Sequence, residues 1–182
     1  ESGTGSGKTV LIPKFLLHIL NYKGRIAITL PKKVVAKTAA EYAALTLDVD
    51  LGRQVGYQFR GESKKSQNTN LLYATDGTIK AQLLNDKLLS NFDAVIIDEA
   101  HERKIQIDFL LYLLKSVLKE RPEFKLIIMS ATVNASIFSS YYSDFKFAKL
   151  SLEGEPNYEI TSIFLKTDLK YSDVILSGLN LV

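Results

Sequence analysis

Gly5-Ser6-Gly7-Lys8-Thr9, close to the start of the printed sequence, is the stretch that decides the fold class. It lies at the start of a predicted helix from residue 8 to residue 21. Successive backbone N–H groups in such a glycine-rich turn, together with the helix N-terminus, form a binding site for phosphates. Thr4 belongs to the same predicted nucleotide-binding loop. Lys8 would reach the terminal phosphates, acting in catalysis as well as in binding, and Thr9 would hold Mg²⁺. A glycine-rich turn can also have a purely conformational role, but the Lys-Thr pair favours phosphate binding.

The composition fits one globular domain and excludes several other classes of protein. The chain has 182 residues, of which 46% are apolar and 24% are charged, and a chain of this size can bury a sizeable core. Its apolar stretches are far shorter than the roughly 20 residues of a membrane helix, so no membrane span is expected. With no cysteine and two histidines, a disulfide framework and a cysteine-based zinc site are excluded. The formal charge of +3 decides nothing about partners.

Hydrophobic periodicity predicts short strands that alternate with longer helices. Such an alternation predicts a three-layer α/β domain with a mostly parallel sheet flanked by helices. Ala94 to Ile97 has the continuous apolar character of a strand that is covered on both faces. Residues 62–70 are expected to form a polar loop, and Asp76-Gly77 a turn. The predicted strands cover residues 25–29, 54–60, 71–75, 94–98, 125–129, 147–150 and 159–165, and the predicted helices residues 8–21, 33–47, 78–89, 105–121 and 135–141.

Asp98-Glu99-Ala100-His101 is the second motif that carries chemistry, because it follows the predicted buried strand at 94–97. Asp98, at the carboxyl end of that strand, would be a ligand of Mg²⁺, which prefers hard oxygen ligands. Glu99 would orient and deprotonate the attacking water in phosphoryl transfer. Acidic residues also favour helix starts for electrostatic reasons alone, but the phosphate loop earlier in the chain favours the catalytic interpretation.

Several further segments resemble the DEAH-box RNA helicases of superfamily 2, in the order that this family shows. The match to the family's name-giving motif is Asp98 to His101. Ser2 stands where the usual phosphate loop has glycine, a departure that superfamily 2 helicases tolerate. The resemblance spans about residues 2 to 160. The other matching segments are Thr29 to Val34 (motif Ia), Val55 to Arg60 (the strand that follows), Thr75-Asp76-Gly77 (motif Ib), Ser130-Ala131-Thr132 (motif III) and Gly154-Glu155-Pro156 (before the second motor domain).

The resemblance implies roles for individual residues. In such helicases, motifs Ia and Ib hold the sugar-phosphate backbone of a single strand, a task for positive charge and hydroxyl groups. The residues at these positions are Lys32, Lys33, Arg60 and Thr75. The alternative to nucleic-acid binding is that the lysines are only exposed, solvated charges. Because the two lysines stand where the family has arginines, bidentate phosphate recognition is lost and only the charge remains, as in a distant or viral member of the family.

Two further groups of residues take their roles from the resemblance. His101, Ser130 and Thr132 would couple the state of the phosphates to domain movement, although His101 could also be a purely structural imidazole. Tyr42 stands where related helicases place an arginine that stacks on the nucleotide base. Its ring could stack on any base, so weak discrimination among ATP and the other NTPs is expected. Packing on the helix surface is an equally good interpretation of Tyr42.

As a whole, the sequence is interpreted as the first RecA-like domain of an ATP-dependent RNA helicase, residues 1–160, with 161–182 as a linker or the start of the second domain. The expected ligands are ATP, Mg²⁺ and single-stranded or duplex RNA, and the expected partners are a second RecA-like domain and an activator protein. No Gln-Arg-x-Gly-Arg-x-Gly-Arg segment is present, so this piece is expected to hydrolyse nucleotide slowly. The alternatives are a DNA helicase or translocase and a docking module that does not unwind. An intracellular location, nuclear or cytoplasmic, is expected.

Overall fold

The computed structural model of the chain describes residues 7–131 and 135–150, and a six-stranded sheet organises them. The strands are β1 (Ile26–Leu30), β2 (Val55–Phe59), β3 (Glu62–Lys64), β4 (Leu71–Thr75), β5 (Ala94–Ile97) and β6 (Lys125–Ile128). The helices are α1 (Lys8–Ile19), α2 (Lys33–Leu47), α3 (Asp76–Asn85), α4 (Ile105–Glu120) and α5 (Ala135–Tyr141), with a short 3-10 turn at Ala100–Glu102.

The strand order is β3-β2-β4-β1-β5-β6, and every neighbouring pair is parallel except β2 with β3. The central strand β1 pairs with β4 on one side and β5 on the other, so that Thr29 lies opposite both Ala74 and Ile97. All residues of β1 and β5 are buried, as expected of parallel strands covered by helices on both faces. The predicted RecA-like α/β fold with a mostly parallel sheet is therefore confirmed.

Alternate residues of the strands point into two separate apolar layers. One layer lies under α1 and α2 and contains Ile26 and Ile28 of β1. The buried residues that α2 contributes to this layer are all alanines, at positions 36, 39, 40, 43 and 44, whose small side chains let the helix approach the sheet closely. The opposite layer contains Ala27 of β1 together with residues of α3 and α4, and residues 138 and 142 belong to it as well.

Three predicted element bounds are wrong. Asp76-Gly77 is the first turn of α3 rather than a separate turn, and α3 ends at Asn85 instead of residue 89. The helix stops because the Asp86 carboxylate accepts hydrogen bonds from the backbone N–H groups of Leu88 and Ser90, which fixes a different local turn. Residues 147–150 form no strand.

The predicted polar loop at 62–70 contains the short antiparallel strand β3, in which Glu62 pairs with Phe59 and Lys64 with Tyr57. Gly56 allows this close crossing, because a Cβ atom at this position would lie 2.6 Å from the Lys64 carbonyl oxygen. The strand predicted at 159–165, Gly154-Glu155-Pro156 and the proposed linker lie outside the described residues. Among the helices that are described, none is long and apolar enough to cross a membrane.

Asp76 gives a testable prediction about stability, because burial raises the pKa of its carboxyl group. A raised pKa means that the ionised carboxylate destabilises the fold, and this effect is present above the folded pKa and disappears below the unfolded pKa of about 3.9. We expect Asp76→Asn to raise the Tm at pH 7 by about 2–4 °C, with the gain disappearing as the pH approaches 4. Thermal melting across this pH range measures it.

Asp86 provides a control of opposite sign, since hydrogen bonds from the backbone and side chain of Ser90 and from the Leu88 backbone lower its carboxyl pKa. This stabilisation is present above the unfolded pKa and is lost as the pH falls through the folded pKa. Asp86→Asn should therefore lower the Tm at pH 7. An Asp76→Asn protein that melts at or below the wild-type temperature at pH 7 would contradict the assignment.

Candidate nucleotide and nucleic-acid site

The last glycine of the predicted phosphate loop, Gly7, lies at the amino end of α1. Gly7, which precedes the helix, has the left-handed φ of 72°, and its carbonyl oxygen accepts hydrogen bonds from the N–H groups of Val10 (3.1 Å) and Leu11 (2.9 Å). A side chain at Gly7 would be strained by this φ and would meet Leu11 Cδ1 at 3.2 Å from its Cβ. Thr4, Gly5 and Ser6, the rest of the predicted loop, lie outside the described residues.

Thr9 and Asp98, the two predicted Mg²⁺ ligands, are in direct contact. Thr9 Oγ1 donates a hydrogen bond of 2.6 Å to Asp98 Oδ2, and Asp98 is fully buried. The other carboxylate oxygen of Asp98 accepts the Glu99 N–H at 2.9 Å. A hydroxyl and a carboxylate held together beside the start of α1 are hard oxygen donors of the kind that Mg²⁺ prefers. These residues therefore fit the predicted ion.

Lys8 stands at the start of α1, and Ser130 follows β6. Lys8 is 9% exposed and Ser130 is 8% exposed. Both line a groove of about 910 Å³ that runs between α1, the outer edge of β6 and α5. Most of the other residues that line this groove are apolar, although lysines at 119, 125, 146 and 149 line it as well.

Glu99, His101 and Ala131 form a chain of contacts that joins the 98–101 motif to the segment after β6. The backbone N–H of Ala131 donates to His101 Nδ1 at 3.2 Å, and His101 Nε2 lies 3.3 Å from Glu99 Oε2. Because a backbone N–H can only donate, His101 Nδ1 is the acceptor of this bond, and the proton of a neutral imidazole is then on Nε2, the nitrogen that faces Glu99 Oε2. The Ala100 N–H also donates a hydrogen bond of 3.0 Å to the Met129 carbonyl oxygen. This bond holds the 98–101 motif against the segment after β6.

The backbone around this motif is unusual. Glu99 has a φ of 55° and Arg103 a φ of 47°, values that residues with a side chain rarely adopt. Arg103 is held by two hydrogen bonds to the Asp108 carboxylate, at 2.9 and 3.1 Å. The left-handed turn at Glu99 directs the chain out of β5, so that Asp98 stays buried while Glu99 is partly exposed.

The four predicted nucleic-acid contacts do not have equal freedom to bind. Lys33 Nζ donates to the Arg60 carbonyl oxygen at 2.8 Å and lies 5.8 Å from the centre of the Phe59 ring. Its ammonium group is therefore already engaged in holding the β2–β3 hairpin. Lys32, at the start of α2, and Arg60, at the tip of the hairpin, are exposed. Thr75 Oγ1 lies 2.9 Å from Thr78 Oγ1.

A second set of contacts fixes the same hairpin to α2. Lys37 Nζ lies 2.8 Å from Glu62 Oε1, and the Tyr57 hydroxyl donates to the same oxygen at 2.5 Å. The hydrogen bond to Glu62 raises the pKa of the Tyr57 phenol, and the hydrogen bond from Lys37 lowers the pKa of the Glu62 carboxyl. Lys33 and Lys37, one helical turn apart, therefore hold the hairpin that carries Arg60.

Tyr42 lies on α2 with 56% of its surface exposed. Its backbone carbonyl accepts a hydrogen bond of 2.8 Å from the Thr46 hydroxyl. An exposed ring is compatible with both interpretations of this residue, so stacking on a nucleotide base remains a prediction. Thr132 of the predicted coupling group lies outside the described residues.

Comparison with known proteins decides the family. The model of the family described as DEAD/DEAH box helicase matches residues 1–139. The chain belongs to the DEAD/DEAH box helicase family. Over its whole length it is 42% identical to a protein of Acanthamoeba polyphaga mimivirus that is provisionally named an ATP-dependent RNA helicase. It is also 42% identical to proteins named ATP-dependent RNA helicase HrpA, over 79% of the chain in Borreliella burgdorferi and 78% in Escherichia coli.

The chain spans only part of these relatives: 26% of the mimivirus protein, 18% of the Borreliella burgdorferi protein and 11% of the Escherichia coli protein. The structure describes a nucleotide-binding helicase domain rather than a whole enzyme of that length. Activities of the complete relatives therefore do not follow for the domain by itself.

Sequence reasoning missed Tyr73 in this helicase domain. Tyr73 is fully buried in β4, and its hydroxyl donates to the Thr9 carbonyl oxygen at 3.3 Å. Burial, and to a smaller extent the negative charge of Asp98, raises the pKa of the phenol. The available signal was a tyrosine in the middle of an otherwise apolar strand, because a buried tyrosine hydroxyl usually has a partner.

The two histidines of the chain make a matched test of the contacts at the 98–101 motif. We expect His101→Ala to lower the rate of NTP hydrolysis about ten- to a hundredfold, because the Glu99 carboxylate loses the group that orients it. Nucleotide affinity should change little, since the contacts described for His101 are with Glu99 and Ala131 rather than with α1. His18→Ala is the control, because His18 is exposed on α1 beside Tyr22. Steady-state hydrolysis and nucleotide titration measure both, and equal losses in the two variants would contradict the assignment.

Proposed function

We propose that this domain binds an NTP with Mg²⁺ and supplies the hydrolytic half of a motor that moves along RNA or remodels it. The observation that supports the proposal best is the continuous set of contacts from Thr9 through Asp98 and Glu99 to His101 and Ala131. These contacts connect the start of α1, which would hold the phosphates, to the segment that follows β6. A phosphate-dependent movement at one end would therefore reach the other.

Each residue in this proposal has a role that its position allows. The N–H groups at the start of α1 and the Lys8 ammonium bind and neutralise the phosphates. Thr9 and Asp98 hold Mg²⁺, which would neutralise charge on the terminal phosphates. Glu99, partly exposed and oriented by His101, positions the attacking water and accepts its proton. Arginines from a second RecA-like domain would complete hydrolysis, so the domain alone turns over slowly.

RNA is the proposed polymer because the relatives described above are named RNA helicases. Lys32, Arg60 and Thr75 lie at or beyond the carboxyl ends of β1, β2 and β4, three neighbouring strands of the sheet. Contacts of this kind bind the sugar-phosphate backbone and do not read sequence. The ATP preference, an activator protein and the second domain are parts of the same proposal.

Hydrolysis measurements test the motor directly. In the intact protein, single-stranded RNA should stimulate steady-state NTP hydrolysis. Lys8→Ala should weaken nucleotide binding and lower the stimulated rate, and Glu99→Gln should lower the rate about a hundredfold while nucleotide remains bound. Stimulation by DNA equal to that by RNA would favour the DNA translocase alternative. Binding of nucleotide without turnover on either polymer would overturn the motor and favour the docking module.

The geometry ranks the basic residues by their effect on RNA binding. We expect Lys32→Ala and Arg60→Ala to weaken single-stranded RNA binding and to reduce the slope of log Kd against log salt by about 0.7 each. Lys33→Ala should act differently, because Lys33 holds the hairpin through the Arg60 carbonyl oxygen. It should lower affinity mainly by loosening the position of Arg60, so that Lys33→Ala and Arg60→Ala together are no worse than Arg60→Ala alone.

Lys23→Ala is the matched control for these charge changes. Lys23 is exposed and precedes β1, at the opposite end of the sheet from the proposed contacts. Fluorescence anisotropy at several salt concentrations measures the four single variants and the double variant. If Lys23→Ala changes the salt slope as much as Lys32→Ala does, the binding is non-specific and the proposed surface is wrong.

A further inference from the structure

Two buried polar side chains near the α3–α4 face of the sheet have no role in the site described so far. Thr29 of β1 is fully buried, and Asp76 at the start of α3 is 4% exposed. Within the described part of the chain, neither Thr29 Oγ1 nor Asp76 Oδ1 makes a hydrogen bond of normal geometry. Buried polar atoms almost always have a partner, so an unpartnered pair in an otherwise apolar layer requires a reason.

The two side chains are neighbours. In the β1–β4 register, Leu30 lies opposite Thr75, so the residues just before and after this pair are Thr29 and Asp76. The Thr29 hydroxyl is close enough to lower the pKa of the Asp76 carboxyl, against the larger effect of burial, which raises it. The charges of Glu102 and Lys104 also act on this carboxyl. Asp76 therefore lies between the end of β1 and the turn that follows His101.

Thr29 also contacts the hydrolytic side of the site through its backbone. Its carbonyl oxygen accepts the Asp98 N–H at 3.1 Å, and Asp98 carries the Thr9 hydrogen bond. Asp76, in turn, directly follows Thr75, a proposed RNA contact. Thr29 of the central strand thus accepts the backbone N–H of Asp98 with its carbonyl oxygen, while its side chain lies beside Asp76, which follows Thr75.

We propose that Thr29 and Asp76 are a positioning pair that couples RNA contact at Thr75 to the hydrolytic residues Asp98 and Glu99. The hydroxyl is close enough to act on the carboxyl group, but the two do not form a hydrogen bond of normal geometry. A second arrangement, in which that geometry is reached, is therefore available. RNA that moves residues 75 and 76 toward β1 favours the second arrangement, and a ligand shifts such an equilibrium by its difference in affinity for the two states. The inference rests on the proposed RNA-stimulated hydrolysis.

Four single variants of the intact protein separate coupling from simple packing. Thr29→Val removes the hydroxyl and keeps the shape, and Asp76→Ala removes the acceptor. Thr29→Ser and Asp76→Asn are the conservative partners, since each keeps a hydrogen-bonding group at its position. We expect the first two to lower the RNA-stimulated rate about tenfold, with the unstimulated rate and the KM for NTP changed less than about threefold. Thr29→Ser and Asp76→Asn should retain stimulation.

The double variant Thr29→Val/Asp76→Ala completes the test. If the two groups act as one pair, its loss of stimulation should be no greater than that of either single variant. Losses that multiply, an unchanged stimulated rate in Thr29→Val, or an equal fall in the unstimulated rate would each overturn the coupling. Should Asp76→Ala fail to fold in thermal melting, the contrast between Thr29→Val and Thr29→Ser decides the question.

The wild-type control keeps this inference distinct from the proposed function. Wild-type hydrolysis that RNA does not stimulate would overturn the motor, and the coupling with it. Wild-type hydrolysis that RNA stimulates, together with full stimulation in Thr29→Val, would overturn the coupling alone.

Discussion

The hydrogen bond from the Thr9 hydroxyl to the Asp98 carboxylate is the contact on which the rest of the site depends. It joins residues 89 positions apart in the chain and holds the start of α1 against the carboxyl end of β5. A fully buried carboxylate is tolerated only where hydrogen bonds replace water, and Thr9 and the Glu99 N–H provide them. The Asp98 oxygens that accept these hydrogen bonds are also the ones that fit Mg²⁺, and binding of the ion would exchange one set of partners for another.

The position of β1 at the centre of the sheet makes the two binding functions neighbours. β1 pairs with β4, which leads to Thr75, and with β5, which leads to Asp98. A parallel arrangement brings the carboxyl ends of all three strands to one edge. Two apolar layers cover these strands. Because a close-packed core deforms little, a shift at the end of one strand displaces the ends of the neighbouring strands.

Much of this arrangement could be predicted from local sequence. The continuous apolar run at Ala94 to Ile97 and the Lys-Thr pair at the start of α1 sufficed to place Asp98 opposite Thr9, since strand ends and helix starts meet at one edge in such folds. β3 could not be predicted, because its three residues are exposed and polar and its pairing depends on the missing side chain of Gly56. The hydrogen bond from Lys33 to the Arg60 carbonyl oxygen could not be predicted either, because the two residues come together only when the hairpin folds onto α2.

The backbone of residues 98–103 includes conformations that are unfavourable for the residues that adopt them. Left-handed φ values at Glu99 and Arg103 each cost about 1–3 kcal/mol in residues with a side chain. Glycine at 99 would remove this strain, but it would also remove the carboxylate that His101 orients. The strain is offset by contacts that sequence neighbours cannot make, namely Ala131 with His101 and Met129 with Ala100. These contacts are made with the segment that follows β6, so any movement of that segment changes how firmly Glu99 is held.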